Sequence, residues 1–471
     1  MIPTERPLDS SPASHRGDRA RRAARGVLAT LALLALAPDA RAQDSNYWSS
    51  AYGTRARLLG GVVIGSPGDI SSVYYNPGAL ALTAQNEFLL SGNAYEYMRV
   101  TVEDGSGPGK PLVSGVIAAV PSLLAGEVPL LQHDRLAYSF LTRQQLDLEL
   151  DRHSTLGVGT SAPLVNASFA ALEVGFHQHV SENWVGATWA HRLTPRLGIG
   201  ISPYVAVRSQ NTDLAFLAEG ANAGDSAAVL NQHRAFDYIH WRLLARIGLS
   251  GVRDSLTYGI TVTTPSLGLF GGGEVRQNTM LVDQTGALGT ITGASYQPDV
   301  KADYRSPLGL GAGASYAIAD TRVHAAVEWM AEVPEYTVLD AAPFTIATPT
   351  SDSTAALAVK EQLGDVFNWG VGLEHRFRPG LSGYVSYHTD RSARRHDDPV
   401  GASFTSWDLQ HVAAGTTFKF MRSDFAVGLA TAFGSQPVPP LPDRPDGRPT
   451  AENLETHELI FTISLGWKIT F

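Results

Sequence analysis

Ten ionisable side chains fall at alternating positions of segments predicted to be β-strands, on the face opposite the apolar residues. They are Arg242, Arg246, His324, Glu328, Glu374, Arg376, Arg378, His388, Lys419 and Lys468. An arginine can hold a carboxylate through two parallel hydrogen bonds, so one interpretation is the polar end of a site for an amphiphile. The other is that these charges pair between strands and face a wet interior, and we favour it for any single residue.

The residue pattern gives little support for enzymatic or metal chemistry. The chain has no cysteine, which excludes disulfides, thiol chemistry and Cys-ligated metals. No Gly-x-Ser-x-Gly sequence marks a hydrolase nucleophile. His177 and His179 lie two residues apart without an evident third metal ligand. We therefore predict a protein that is not an enzyme and that has no cofactor or metal.

The net charge and hydropathy of the chain further limit the classes of protein to which it can belong. The net charge of -9, with no basic stripe, argues against a nucleic-acid partner. After the N-terminus no stretch reaches the roughly 18 apolar residues of a spanning helix. A β-barrel is not excluded, because the apolar and polar residues of its strands alternate and average out in a hydropathy window.

Residues 1–42 are predicted to be a signal peptide that is removed on export. An arginine-rich lead at 16–26 precedes an apolar run at 27–37, and Ala40-Arg41-Ala42 follows as a small-x-small cleavage pattern. The apolar run is too short to anchor the chain in a membrane.

The chain ends on a strand with one apolar face, formed by Leu459, Phe461, Ile463, Leu465, Trp467, Ile469 and Phe471. Lys468 and Glu458 fall on the other face. Contact with lipid explains this pattern, since a charge at mid-bilayer would cost roughly 2–4 kcal/mol. The alternative is an edge strand of a soluble β-domain, although an uncovered edge is an aggregation hazard. Leu465, Trp467, Ile469 and Phe471 also resemble the signal that the barrel-assembly machinery of Gram-negative bacteria recognises.

Short and long connections alternate along the chain. Tight links are predicted near 194–196, 251–254, 319–321, 378–381 and 421–424, and long ones at 211–234, 283–303, 333–364, 391–406 and 435–455. An outer-membrane barrel explains the alternation, with turns on the periplasmic side and long loops outside. We therefore predict an all-β fold, a transmembrane antiparallel β-barrel of about 14 strands over residues 88–471.

The upstream strands of this barrel are predicted at 88–101, 133–150, 166–181 and 183–193. Residues 264–275 fit the layout least well and are predicted to form a bulge or an inward bend.

Residues 43–87 do not have the barrel pattern. They contain Gly53-Thr54-Arg55-Ala56-Arg57-Leu58-Leu59-Gly60-Gly61, then Asp69, then Tyr74-Tyr75-Asn76-Pro77-Gly78-Ala79-Leu80. This resembles the FadL-like family of outer-membrane transporters for long-chain fatty acids and other hydrophobic compounds. The family has Asn-Pro-Ala-Gly where this chain has Asn-Pro-Gly-Ala, which keeps the turn chemistry.

The resemblance implies that residues 43–87 form a plug, or hatch, in the lumen of the barrel. The candidate ligand-binding or plug residues are Tyr74, Tyr75, Asn76, Pro77 and Gly78. A periplasmic tail is the alternative for this segment. The tight ligand pocket of the family lies near the plug, but its individual residues cannot be carried over to this chain.

Residues 112–131 are unusually apolar for the extracellular loop in which this layout places them. An exposed apolar surface of that size usually marks a binding site, so we predict a capture groove for a hydrophobic substrate. The rival interpretation is an additional pair of strands.

Together these features predict passive uptake of hydrophobic small molecules such as long-chain fatty acids across a bacterial outer membrane. The expected partners are a hydrophobic, fatty acid-like molecule, outer-membrane lipid with lipopolysaccharide, and the barrel-assembly machinery. One alternative is a non-transporting barrel of the same fold that acts as a shuttle or scaffold for secreted proteins. A general diffusion porin is disfavoured, because a plug would defeat it.

Overall fold

The computed structural model describes residues 40–41, 46–66, 68–83, 86–103, 111–128, 134–156, 167–222, 227–284, 289–350, 352–393, 407–438 and 454–470. The predicted signal peptide lies outside these residues, except for Ala40–Arg41. Phe471 lies outside them as well. Within the described residues, no helix is long and apolar enough to cross a membrane.

The described residues form three short helices and a large number of strands. The helices are Arg55–Leu58, Ser72–Tyr75 and Pro77–Leu80. The strands are β1 (Ala40–Arg41), β2 (Glu87–Val102), β3 (Leu112–Val128), β4 (Asp134–Leu156), β5 (Ala167–Thr194), β6 (Leu197–Asn222), β7 (Ala227–Arg253), β8 (Leu256–Thr263), β9 (Leu267–Asp283), β10 (Gly289–Lys301), β11 (Gly309–Ile318), β12 (Thr321–Met330), β13 (Val333–Leu339), β14 (Phe344–Ala347), β15 (Asp352–Ala355), β16 (Val359–Leu363), β17 (Val366–Arg378), β18 (Leu381–Asp390), β19 (Asp408–Phe420), β20 (Ser423–Val438) and β21 (Leu454–Thr470).

Fourteen of these strands close into one antiparallel barrel. They follow the order β2 to β8, β11, β12 and β17 to β21, and β21 pairs with β2 to complete the ring. A closed ring has no free edge, which is the condition that a sheet must meet in hydrocarbon. The predicted fold class and strand number are confirmed.

The two faces of the wall follow the period of two that the sequence predicts. On β21 the side chains of Leu459, Phe461 and Leu465 point outward and are exposed, whereas Glu458 and Ser464 are buried on the inner side. An outward apolar face and an inward polar face are typical of barrels that contact lipid.

Two-residue turns join neighbouring strands at one end of the barrel, called here the turn end. Asp254, Ala319 and Met421 have positive φ values of 54°, 51° and 55°, as tight hairpin turns often require. All five predicted tight links are confirmed, at 195–196, 254–255, 319–320, 379–380 and 421–422. The opposite end, where long connections lie, is called the loop end.

Two predictions about the first strands are wrong. The predicted strands 166–181 and 183–193 are one strand, β5, which continues through Glu182 because that residue faces the lumen and is paired there. Residues 112–128 are strand β3 rather than part of a loop, so the predicted loop with a capture groove is wrong for these residues, and residues 129–131 lie outside the described part of the chain. The stretch is apolar on both faces because Leu123 and Ala125 join the core while Ile117 is exposed outside. The rival interpretation, an additional pair of strands, was nearer, although β3 adds only one strand. The predicted number of strands is still correct, because β5 had been counted as two strands and β3 had not been counted.

At the loop end the chain leaves the wall and builds a lobe. Residues 246–253 of β7, nearer the turn end, pair with β8, and residues 228–243, nearer the loop end, pair with β9. Strands β10, β14 and β15 continue this sheet, and β13 pairs with β16 beside it. Residues 264–275 contain this branch point, and the pairing of β7 with β9 shifts its register there, between Trp241 and Arg242, which agrees with the predicted bulge. Much of the predicted links 211–234 and 283–303 is strand because the chain builds this lobe.

The lobe has an apolar core of its own. Its buried members include Phe236, Tyr238, Val275, Tyr304 and Tyr336. This core matters for the lumen because it places the ring of Tyr304 against arginines of the barrel wall.

Candidate functional site

Residues 46–83, called here the N-terminal segment, pack against the lumen-facing side of the wall. Their buried apolar residues form one cluster with residues of β2 to β7, β18 and β20. Hydrogen bonds reach widely separated strands: Tyr52 Oη donates to Thr142 O (3.2 Å), Asn76 Nδ2 to Leu249 O (3.0 Å) and Asn46 Nδ2 to Asp390 O (2.8 Å).

The turn at Asn76-Pro77-Gly78 packs closely against the wall. Asn76 Oδ1 accepts from Gly78 N at 3.1 Å, and its Nδ2 donates to Leu249 O of β7. Pro77 is the first residue of a helix, where a missing N–H loses no bond. A Cβ on Gly200 of β6 would lie 2.5 Å from the carbonyl oxygen of Pro77. Glycine in the wall therefore permits a backbone-to-backbone approach that any side chain would block.

Tyr74 and Tyr75 precede this turn and differ in what they contact. The hydroxyl of Tyr75 accepts from Tyr52 N at 2.9 Å, and burial raises the pKa of Tyr75. Tyr74 packs edge-on against Tyr52 and lines a cavity. Of the five predicted site residues, Tyr74 lines one of the two cavities described below, Tyr75 packs within the segment, and Asn76, Pro77 and Gly78 contact the wall.

The larger of two cavities encloses about 1330 Å³ of empty space, part of which is open to solvent. It lies between the N-terminal segment and strands β2, β3, β4, β19, β20 and β21. Apolar side chains and a few polar groups share its lining, which is typical of sites for small molecules. The apolar contributors include Leu58, Met98, Leu146, Trp407 and Leu409, and the polar ones include Arg57, Asn93, Arg143, His388 and His411.

The smaller cavity, with about 550 Å³ of empty space that is partly open to solvent, is lined by a network of buried charges. Glu182 Oε1 lies 2.5 Å from Arg242 Nη2, and its Oε2 lies 3.3 Å from Arg208 Nη1. The ring of Tyr304 lies between the two guanidinium groups, with its centroid 4.2 Å from Arg208 Cζ and 4.8 Å from Arg242 Cζ. Both arginines thus combine an ion pair with a cation–π contact.

A second ion pair extends this network. Arg246 Nη2 donates to Glu328 Oε1 at 2.8 Å, and its Cζ lies 4.5 Å from the centroid of Tyr74. Arg143 adds a further guanidinium to the lining. Arginines therefore outnumber carboxylates among the residues that line the smaller cavity.

Most of the other predicted lumen charges also pair with the wall or with the segment. Arg55 of the segment donates to Glu374 at 2.6 Å, and His324 lies 3.4 Å from the same carboxylate. Lys468 bridges Glu87 (2.9 Å) and Asp424 (3.2 Å), and the rings of His388 and His411 stack 4.4 Å apart. Arg376, Arg378 and Lys419 are exposed near the turn end. The interpretation of the charges as pairs in a wet interior fits most of them.

The wall is incompletely paired beside the larger cavity. Strand β3 pairs with β2 along Leu112–Gly126 but with β4 only along Leu123–Val128. Among the described residues, the part of β3 nearer the loop end thus has a hydrogen-bonded partner on one side only. Ser122 of β3 and Thr142 of β4, the first positions beyond the last pair, both line the cavity.

Arg57 of the N-terminal segment reaches this part of the wall. Its guanidinium donates to Asn93 Oδ1 of β2, to Ser122 Oγ of β3 and, at 3.2 Å, to Ser464 Oγ of β21. The side chain is 7% exposed, and burial lowers the pKa of Arg57 to about 10. Arg57 therefore remains protonated at neutral pH.

Three residues of these networks were not predicted to have such roles. Glu182 lies in the polar run Ser181-Glu182-Asn183, which resembles a turn, and Arg208 lies in a strand section for which no site was predicted. Arg57 was noted only as a part of the glycine-flanked motif. Pro121, which has no N–H to donate, was the one sequence signal for incomplete pairing in β3.

The described residues contain no group of three or more His, Cys, Asp or Glu side chains that could hold a metal ion. Ligation by the closely spaced His177 and His179 therefore finds no third partner within that part of the chain.

Comparison with known proteins identifies the architecture. No family model matches the chain, and no curated protein matches it in sequence. The P. putida toluene transporter TodX superposes with a TM-score of 0.58 at 15% identity, over 89% of this chain and 99% of TodX. A Pseudomonas aeruginosa FadL homologue gives 0.56 at 12% identity, over 91% of this chain and 100% of the homologue. The monoaromatic hydrocarbon channel CymD gives 0.55 at 14% identity, over 89% and 98%. The chain therefore has the fold of the FadL- and TodX-type channels, as its N-terminal motif predicted.

Proposed function

We propose that the protein is a passive channel in a bacterial outer membrane that takes up hydrophobic small molecules with an acidic end, such as long-chain fatty acids. The observation that carries this proposal is the larger cavity, which lies within a closed barrel and reaches the point where β3 and β4 stop pairing. A binding site beside an incompletely paired wall offers both a place to hold a ligand and a way for it to leave.

In this proposal the N-terminal segment is the plug of the channel. Its contacts continue to the turn end, where Arg192 Nε donates to Ala81 O (2.9 Å) and Arg135 Nη2 donates to Thr83 O (3.0 Å). A direct path to the turn end would have to break these contacts. Exit between β3 and β4 requires only that a few residues separate, so we propose that the ligand leaves sideways through the wall.

The chemistry of the lining supports the substrate class. Toluene and monoaromatic hydrocarbons are what TodX and CymD carry, and both are uncharged. The lumen of this chain adds buried arginines, among them Arg57 and Arg143, to an apolar lining. A guanidinium in a poorly solvated site binds a carboxylate strongly, so an acidic amphiphile suits this lining better than a pure hydrocarbon does.

Uptake of radiolabelled palmitate tests the proposal. The protein is expressed in a Gram-negative host that lacks its own channel for hydrophobic compounds, and initial rates are measured against substrate concentration. We expect saturable uptake that depends on the protein. Uptake equal to that of the empty host would overturn the proposal and favour the non-transporting scaffold.

A disulfide across the incompletely paired wall tests the sideways exit. The chain has no cysteine, so the pair Ser122→Cys with Thr142→Cys adds the only thiols. Because the link ties β3 to β4 beside the cavity, we expect oxidation to lower palmitate uptake by about tenfold or more and reduction to restore it. The matched control is Ala125→Cys with Ser139→Cys, a pair that joins the same strands where they are already in register. Equal uptake by the oxidised and reduced test pair would exclude this exit.

A further inference from the structure

Arg57 differs from Arg55, Arg242 and Arg246 in the charge of its partners, and it resembles Arg143, whose guanidinium donates to a neutral oxygen, Tyr47 O, at 2.6 Å. Arg55 has Glu374, Arg242 has Glu182 and Arg246 has Glu328. Among the described residues, no carboxylate lies within ion-pair distance of Arg57, and its Nε has no hydrogen-bond partner. A buried cation without a carboxylate is costly, and it gains free energy from any anion that can reach it.

The amide of Asn93 lies between Arg57 and the carboxylate of Glu96 and bonds to both. Asn93 turns its carbonyl oxygen to Arg57 and its NH₂ group to Glu96. The guanidinium is thus held by three neutral oxygens, on β2, β3 and β21, and it faces the larger cavity. It ties the N-terminal segment to β3 and β21, the two strands that pair with β2. The contact on β3 is Ser122, directly beyond the last residue of β3 that pairs with β4.

We propose that Arg57 is a specificity-determining latch that an anionic substrate releases. The carboxylate of a ligand in the larger cavity pairs with the guanidinium and replaces Asn93 and Ser122 as its partners, which frees β3 from the N-terminal segment. An uncharged molecule of the same length fits the apolar lining but leaves the latch closed. The inference rests on the proposed function and adds to it a residue that selects for the acidic end.

The direction of the exchange follows from hydrogen-bond strength. A bond between a guanidinium and a carboxylate is roughly twice as strong as one between neutral groups, and it can be bidentate. A ligand shifts a conformational equilibrium only by its differential affinity for the two states. The carboxylate supplies that difference here, because bidentate pairing needs a terminal nitrogen of the guanidinium, and Asn93 and Ser122 occupy both of these nitrogens until they are replaced.

The test is the ratio of palmitate uptake to hexadecanol uptake, measured in the same cells for each variant. Dividing one uptake rate by the other removes the effect of differences between variants in the amount of folded protein. We expect Arg57→Gln to lower the ratio by about tenfold, because the glutamine has no charge to offer the carboxylate. Arg57→Lys keeps the cation without the planar fork and should give an intermediate ratio. Asn93→Asp places a carboxylate against Arg57 and should lower the ratio as well, because the latch is then already paired.

The matched control is Arg192→Gln. Arg192 also ties the N-terminal segment to the wall, through Ala81 O, but it does not line the larger cavity. We expect this variant to keep the ratio of the parent protein even where both rates change. A ratio in Arg57→Gln equal to that of the parent, or an equal fall in Arg192→Gln, would overturn the latch. Absence of protein-dependent palmitate uptake in the parent would instead overturn the proposed function, and the latch with it.

Discussion

Buried arginines occur on two sides of the lumen, and their surroundings differ. On the side of β5 to β7, Arg208 and Arg242 share the carboxylate of Glu182. On the side of β2, β3 and β21, Arg57 is held by an amide and two hydroxyl groups. The first arrangement gives each cation a carboxylate partner and links the strands to each other. The second leaves a cation whose best partner is absent from the wall, which is what a binding or gating group requires.

The difference follows from where the residues lie in the sheet. Glu182 and Arg208 are direct cross-strand partners of β5 and β6, so their side chains meet whenever these strands form. Arg57 belongs to a short helix of the N-terminal segment and meets the wall only when that segment docks. The ion pairs between wall strands therefore form together with the barrel. The hydrogen bonds of Arg57, by contrast, can break while all backbone hydrogen bonds between the strands remain.

The largest effect on stability is expected for Glu182→Gln. The substitution takes the carboxylate away from Arg208 and Arg242, which are almost fully buried, and loss of one partner of a buried ion pair costs about 3–5 kcal/mol. Denaturant unfolding in detergent micelles, followed by tryptophan fluorescence, measures the change in free energy of unfolding. Glu149→Gln, an exposed position on β4, is the control and should unfold like the parent. A change below about 1 kcal/mol for Glu182→Gln would mean that Glu182 does not stabilise the two buried arginines as described.

A smaller effect is expected for Arg57→Gln. The variant loses hydrogen bonds, but it also removes a buried charge that has no carboxylate, and the two terms largely offset each other. We expect the free energy of unfolding to change by about 1 kcal/mol or less in the same assay. A loss as large as that of Glu182→Gln would contradict the contrast between the two sides of the lumen.

The smallest effect is expected for Arg376→Gln. Arg376 and Asp320 form a close ion pair at the turn end, yet both side chains are more than half exposed. Solvent and salt screen such pairs, so we expect a loss of about 0.3 kcal/mol that disappears at high ionic strength. A loss comparable to that of Glu182→Gln would show that burial does not decide the strength of these pairs.

The parts of the fold that could be predicted from sequence are those set by local pattern. The outward residues of β21 and the five tight turns fall where the sequence predicts them. Strand β3 was missed because its inner face packs on apolar residues of the core while its outer face is apolar too, which removes the alternation. The lobe was missed because nothing in the sequence of β7 marks the residue at which it changes its partner from β8 to β9.

The candidate site could be predicted less well than the fold. Arg242, Arg246 and Glu328 were placed on the lumen side from alternation alone, but their partners could not be assigned. Glu182 fell between the predicted strands 166–181 and 183–193, and its neighbours Ser181 and Asn183 are polar, a pattern that an exposed hairpin and a buried charge cluster share. In the structure it is the centre of the network in the smaller cavity.

The sequence by itself determined which side is apolar in the strands that alternate, where the tight turns lie and which motif precedes the barrel. Contact with hydrocarbon and turn geometry act on each residue and its near neighbours, so a local pattern is enough to record them. Only the tertiary structure decided which charges meet in the lumen and where the wall is incompletely paired. Those contacts join residues as far apart as Arg57 and Ser464, and they depend on the register of the closed ring and on the docking of a segment inside it.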